Sequence, residues 1–450
     1  MAIAPGASLR SSGIAFDRMK ILYATRLFSG LQSTLAARRW QPSGVPTIFK
    51  LIEALDNGPD APSFVLSCKD QDANWQDRAD LDLSIAGLRH PVRVLAGRRR
   101  FPAWLRGVAG PLREVAHAMA IAKLCRQRRP DLVYLDHANL FAAGWLSLVS
   151  RTPIVLRLMG VYPVMRAALD SGGMRGRLMR WCYRRRYALV ICTQDGSGVE
   201  PWLARALRPE VPRVVLINGI DKLEVMAEPD LRIAAIPAER TTVMFLGKLE
   251  NGKGALEFAT GFLRALAQAP DRLHALVVGT GSLTEPLRAQ FAAAGAGENL
   301  TLIERLPHPQ VAAALARADI YVSLNRFGNL SNANLEAMRA GKAMIVPKAQ
   351  PAIGVDVATD KLVSPDSMLR IESSDDVAGL ADAILRLAAD PAERLRRGKR
   401  VWEETGGIAG SWDRRIALEL DLLHRVARAE ALPDVAVGQL SAGATERIGK

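Results

Sequence analysis

The chain has 450 residues, 49% hydrophobic and 24% charged, a composition that fits a folded protein of two to three domains and excludes a disordered or fibrous one. Its four cysteines, Cys68, Cys125, Cys182 and Cys192, show no CxxC spacing, which excludes a disulfide framework or a structural zinc site, and no charge-free run of about 18 apolar residues is present to cross a bilayer. The net charge of +14 lies wholly in the first half: residues 1–225 carry 33 Lys and Arg against 18 Asp and Glu, leaving 27 against 28 for the rest.

Residues 1–18 lack the apolar core of a signal peptide and are expected to be an N-terminal extension in a reducing, cytoplasmic setting. A strand pattern, MKILYAT (19–25), opens the ordered part and leads through a loop with Ser29 and Gly30 to a helical segment at 47–55. Strand patterns recur at 63–68, 92–97, 131–136, 153–158, 188–193 and 213–218, with helical patterns between them. The clearest helix, 111–129, is expected to turn Leu112, Val115, Met119, Ala122 and Leu124 toward the sheet. Short apolar strands alternating with helices predict a parallel sheet covered on both faces, here over 19–222.

Two basic clusters stand out in this half. One, at 97–106, contains Arg98, Arg99 and Arg100; the other, at 174–187, sets Arg180, Arg184, Arg185 and Arg186 around Trp181 and Tyr183. Arginine beside aromatic rings suits an anionic membrane surface, and a solvated arginine-rich face is the plainer alternative. No nucleic-acid-binding motif accompanies the charge, so nucleic acid is not an expected partner.

A linker rich in charge and proline (223–240) precedes a second alternation over 241–405. Strands are predicted at 241–247, 273–279, 299–304, 318–324 and 343–347, and helices at 255–268, 284–294, 309–317 and 334–340. Helix 255–268 is expected to pack through Leu256, Ala259, Leu263 and Leu266. A helix within 406–432 and a tail at 433–450 follow. Two doubly wound halves imply a cleft at the carboxyl ends of their strands, where ligands bind.

Three segments of the second half point into that cleft. FLGKLENGKG (245–254) places Lys248 and Lys253 beside a helix N-terminus, a natural phosphate cradle. Its G-x-x-x-x-G-K is followed by Gly254 where a nucleotide triphosphatase needs Ser or Thr for magnesium. VVGTGSL (277–283) offers Gly279 and Gly281 for a tight turn. GNLSNANLEAMRAG (328–341) places Asn329, Leu330, Ser331 and Asn332 before a helix with Glu336 in its first turn and Gly341 at its end.

In order and spacing these motifs resemble those of the GT-B glycosyltransferases of the large retaining family four, the glycosyl transferases of group 1. The matching residues are Gly247, Lys248, Leu249, Lys253 and Gly254; Val278, Gly279 and Gly281; Ala318, Asp319 and Ile320; and Glu336, Ala337, Met338 and Gly341. INGID (217–221) and Ser411 with Trp412 extend the likeness. The resemblance implies an α/β fold of the GT-B kind: two Rossmann-like doubly wound domains facing a cleft, with a C-terminal helix returning to the first domain. It implies that Lys248 and Lys253 hold the diphosphate of a nucleotide sugar and Glu336 the ribose hydroxyls, with no metal and no cofactor beyond that substrate. It further implies a lipid-linked or glycan acceptor, retention of configuration, and a peripheral place on the inner membrane face in bacterial envelope or exopolysaccharide synthesis.

Gly328 stands where the first glutamate of the family's E-x7-E contacts the donor sugar, so Asn329, Ser331 and Asn332 with their amides are expected to hold it instead. On the acceptor side, the loop with Ser29 and Gly30 resembles the family's glycine loop, without its usual Gly-Gly and with Gly44 as a rival position. Asp136 matches the polar group closing the P-D-hydrophobic strand, with His137 beside it, and Arg157 is expected to compensate for Met159 where the family often has histidine. The departure at Gly328 also leaves room for a non-catalytic sugar-nucleotide-binding relative, and a sugar-nucleotide epimerase on the same scaffold is the other alternative.

Overall fold

A computed structural model describes residues 18–433, except 70–71, 73–74, 76–78, 98–108, 222, 224–228 and 407–409. The first sheet is built from β1 (Lys20–Arg26), β2 (Ala61–Ser67), β3 (Leu81–Leu83), β4 (Val92–Leu95), β5 (Leu132–Asp136), β6 (Ile154–Leu158), β7 (Leu189–Gln194) and β8 (Arg213–Ile217). Their order is β3-β4-β2-β1-β5-β6-β7-β8, parallel except for the β3–β4 edge pair. The second sheet holds β9 (Thr241–Leu246), β10 (Leu273–Val278), β11 (Leu300–Ile303), β12 (Ile320–Val322), β13 (Ala343–Pro347) and β14 (Leu369–Ile371) in the order β11-β10-β9-β12-β13-β14, all parallel.

Strands β5, β6 and β7 are buried at every position, which is why they read as unbroken apolar runs: helices cover both faces of a central parallel strand. Each sheet separates two apolar clusters. Leu22, Val133 and Leu156 pack on one face of the first sheet, and Tyr23, Tyr134 and Leu189 on the other. Strands β3 and β14 fall outside the sequence-predicted set, because three residues at a sheet edge are too few to display a pattern.

One helix turns differently from expectation, and a second packs through its expected stripe with aromatic residues added at the centre. Ala109–Arg128 buries Arg113, His117, Ala118, Ile121 and Ala122, while Val115 and Met119 are 42% and 60% exposed. The His117 ring, whose pKa burial lowers, hydrogen-bonds the Ala96 carbonyl at 2.8 Å, and Ala118 and Ala122 let the helix approach the sheet closely. Ala255–Leu266 buries Phe258, Ala259, Phe262, Ala265 and Leu266, with Leu256 and Leu263 at the margin. Its aromatic residues continue a row, Phe245–Phe258–Phe262–Phe291, with centroids 5.3, 6.0 and 5.6 Å apart, and that row sets the helix rotation.

The last helix, Trp412–Ala427, returns to the first sheet. Ser411 caps it by accepting from the Arg414 amide at 3.3 Å, and the Trp412 amide donates to Asp221 at 3.2 Å. Trp412, Ile416, Leu422 and Leu423 join Tyr23 and Tyr134 in the first-sheet core. Beneath them Glu419 accepts from Arg415 at 2.6 Å and from the Tyr134 hydroxyl, and pairs with Arg157 at 3.2 Å.

Candidate active site

Strand order reverses at β1/β5 in the first sheet and at β9/β12 in the second, so the loops leaving these and the neighbouring strands converge on one cleft. The two sets of loops touch. The Leu330 amide donates to the Asp195 carbonyl at 3.1 Å, the Asp356 amide to the Gly196 carbonyl at 2.7 Å, and Asn218 Nδ2 to Asn332 Oδ1 at 2.6 Å. Arg166 spans the same seam, donating to the Ser197 carbonyl and, at 3.0 Å, to the Ile353 carbonyl.

In the second domain, the loop after β9 is clamped to the loop after β10. Glu250 accepts from the Ser282 amide at 3.0 Å and from its hydroxyl at 2.6 Å, which holds the carboxyl below its ordinary range. Gly279 has φ +147°, and a side chain there would strike the Gly247 carbonyl, so glycine permits the close approach of the loops. Lys253 is half-buried just before the helix Ala255–Leu266, and burial lowers its pKa against the opposing pull of Asp195. Lys248 is exposed beside it. Among the described residues neither ammonium has a carboxylate within ion-pair distance, so both charges are available to an anion at the helix end.

The loop expected to read the donor sugar is committed elsewhere. Asn329 is fully buried: its amide group donates to Asp356 at 2.6 Å and to the Asn325 carbonyl at 3.2 Å, and accepts from Ser323 at 2.7 Å. Leu330 lies in the apolar core. Ser331 caps the helix Asn332–Arg339 by accepting from the Asn334 amide at 3.4 Å, and the Asn332 side chain accepts from Asn218 across the domain seam. Glu336 is the fifth residue of that helix, beyond its first turn, and pairs with His308 at 3.0 Å. That pairing raises the His308 pKa.

The first-domain candidates also divide. Asp136 is buried, accepting from Thr25 Oγ1 at 2.9 Å, the Arg26 amide at 2.8 Å and Asn139 Nδ2 at 2.7 Å. It ties the end of β1 to the end of β5, and these bonds occupy the oxygens that proton transfer would need. His137 hydrogen-bonds the Tyr183 hydroxyl at 2.7 Å and stacks on that ring, and burial pushes it down to about 4, so it is neutral. Arg157 is wholly inaccessible, bonded to Thr193 at 2.7 Å and paired with Glu419, which removes it from the acceptor side. Gly30 lies in the first turn of the helix Ser29–Ala37, pressed against the Ser43 backbone, rather than in an open loop.

Asp195, which sequence reasoning passed over, follows β7 at the point where the two domains meet. Burial pushes its carboxyl up to about 6, opposed by Ser197, its own amide and Lys253. The signal that marks it is CTQDGSG (192–198), a strand ending in an acid between small turn residues.

Of the basic clusters, Arg98, Arg99 and Arg100 lie outside the described residues. Arg180 is engaged, bonding the Ala168 carbonyl at 2.6 Å and the Ser171 carbonyl at the end of the preceding helix, so it is not a free docking cation. Trp181 is half-buried on the first-sheet core, beneath Arg185 at 4.7 Å. Arg184 and Arg186, just past the helix Met174–Tyr183, are exposed, as are Met174 (87%) and Leu178 on that helix. Among the described residues no helix is long and apolar enough to cross a membrane.

Residues 240–390 match the family model described as Glycosyl transferases group 1. The chain is 30% identical over 330 residues to the 2-deoxystreptamine N-acetyl-D-glucosaminyltransferase of Streptomyces fradiae, covering 65% of this chain and 76% of that one. It is 28% identical over 269 residues to the phosphatidyl-myo-inositol mannosyltransferase of Mycobacterium leprae, covering 59% and 66%. Among solved structures, the sucrose-phosphate synthase of Thermosynechococcus elongatus superposes with a TM-score of 0.62 at 19% identity, covering 92% of this chain and all (100%) of that one. The Anabaena protein HepE, in complex with UDP and glucose, gives 0.61 at 17%, covering 90% and 100%. The superpositions establish the GT-B fold.

Proposed function

The chain belongs to the group 1 glycosyl transferases, and on that premise we propose that it moves a sugar, with retention, from a nucleoside-diphosphate sugar to an acceptor hydroxyl. The carrying observation is Lys253, half-buried at the entrance of the helix Ala255–Leu266 with Lys248 beside it and no carboxylate in ion-pair distance among the described residues. As the bond from the sugar's anomeric carbon to the diphosphate oxygen breaks, negative charge builds on the diphosphate, and fixed ammonium groups and helix amides stabilise it. The acceptor oxygen bonds to the same face of the carbon, and its proton passes to the departing diphosphate. No protein nucleophile is then required, which accords with the engaged Asp136 and neutral His137. Positioning in the cleft supplies much of the remaining acceleration.

The acceptor is proposed to be lipid-linked, in envelope or exopolysaccharide synthesis at the inner membrane face. The exposed Arg184, Arg186, Met174 and Leu178 support this, as does the relative named for phosphatidyl-myo-inositol. A free small-molecule acceptor is the second reading, favoured by the relative named for 2-deoxystreptamine. Replacing Lys253 with alanine tests the transfer. Donor turnover should fall by ~10²–10³ with an unchanged melting temperature, and full activity in that variant would overturn the assignment.

A further inference from the structure

Gly328, at the place of the family's donor-contacting acid, lacks a side chain for a steric reason. Its φ is +126°, and a Cβ there would lie 2.5 Å from the Asp195 carbonyl oxygen and 2.6 Å from the Ser197 amide nitrogen. The turn after β7 therefore fills the space beside residue 328, held by the Leu330-to-Asp195 and Asp356-to-Gly196 bonds. That turn brings its own carboxylate. Asp195 Oδ1 accepts from the Ser197 amide at 3.0 Å and from the Ser197 hydroxyl, and Oδ2 lies against Gly160, where any Cβ would collide with it.

Among the described residues the donors to this carboxylate are Ser197 and its own amide, fewer than a carboxylate's roughly four acceptor sites. Lys253 acts on it electrostatically from the facing domain without pairing to it. A half-buried carboxylate with spare acceptor capacity, beside the phosphate-binding lysine, gains most from a ligand that donates hydrogen bonds. Of the parts of a nucleotide sugar, the phosphates are repelled by it and the sugar hydroxyls are attracted. We propose that Asp195 is the acid of the donor site, reaching from the first domain to accept hydroxyl hydrogen bonds from the donor sugar where residue 328 has no room for a side chain. Sugar recognition then depends on closure of the two domains, since the phosphate-binding lysines and the sugar-binding acid belong to different sheets.

The inference rests on the donor being a nucleotide sugar. Wild-type protein would be titrated calorimetrically with UDP-glucose, UDP-N-acetylglucosamine and GDP-mannose and with the parent UDP and GDP, then Asp195→Ala and the isosteric Asp195→Asn with the best pair. Asp195→Ala should weaken the sugar nucleotide ~10-fold or more relative to its parent diphosphate, leaving the diphosphate's own affinity unchanged or raised. Asp195→Asn, which keeps the shape of the turn, should show the same change of ratio if the alanine variant does not fold. An unchanged ratio, with both ligands weakened equally or not at all, overturns the role of Asp195 alone. Wild-type protein that binds none of these ligands overturns it together with the transferase reading.

Discussion

Single residues govern how the protein responds to pH. His274 is buried on β10 with Nε2 2.8 Å from Thr301 Oγ1, and burial, aided by Arg240 and Arg317, pushes it down to about 4. In the unfolded chain the ring protonates near ~6.5, so the unfolded state binds more protons between those values. The stability that His274 contributes is therefore full above about 6.5 and is lost as the pH drops toward 4, on the order of a few kcal/mol at most. Urea unfolding at pH 7 and pH 5 should show the loss, and His274→Gln should reduce its slope; an equal slope in that variant would assign the acid sensitivity elsewhere. At this scale legibility was uneven. Lys248 and Lys253 share one loop and declare themselves by local spacing, whereas Asp195 meets Gly328 only through the meeting of two domains. Asn329 looked like a ligand-binding amide because a sequence does not reveal that Asp356, Ser323 and Asn325 have already claimed it.

Elements were legible as elements, and less so as oriented faces. In Ala109–Arg128 the apolar residues Val115 and Met119 face outward, and a histidine and an arginine face inward because each finds a polar partner. Polar satisfaction, invisible to periodicity, decided the rotation. The helix Met174–Tyr183 carries the opposite lesson: its exposed Met174 and Leu178 accompany exposed Arg175, Arg177 and Arg184, an amphipathic arrangement suited to a bilayer surface. Sedimentation with vesicles containing anionic phosphatidylserine should retain the protein at low salt and release it at high salt. Replacing Met174 and Leu178 together with serine should weaken retention severalfold. Absence of binding at every ionic strength would remove the membrane part of the reading and favour a free acceptor.

A buried ionic cluster ties the last helix of the chain back to the first sheet. Arg157 on β6, Tyr134 on β5, and Arg415 and Glu419 on the helix Trp412–Ala427 are all inaccessible, and one carboxylate balances two guanidinium groups. Removing it as Glu419→Ala leaves two buried cations unpaired and should destabilise the protein by ~3–5 kcal/mol, read by chemical denaturation; a change under ~1 kcal/mol would show that water relieves the pair. The two-domain architecture was readable because the strand–helix alternation restarts after 240. Arg157 and Glu419 stand 262 residues apart along the chain, so local sequence does not show that Arg157 is claimed by the core and not the cleft.

The returning helix bears on how the chain is made. The first domain leaves the ribosome with its eight strands complete yet without the wall that Trp412, Ile416, Leu422 and Leu423 supply. The roughly 200 residues between β8 and that helix take ~10–40 s to synthesise at ~5–20 residues per second. During that interval the second domain, whose strands are contiguous in sequence, can close, while Tyr23 and Tyr134 in the first remain uncovered on one side. The domain begun first is therefore finished last, its core closed only when the returning helix arrives.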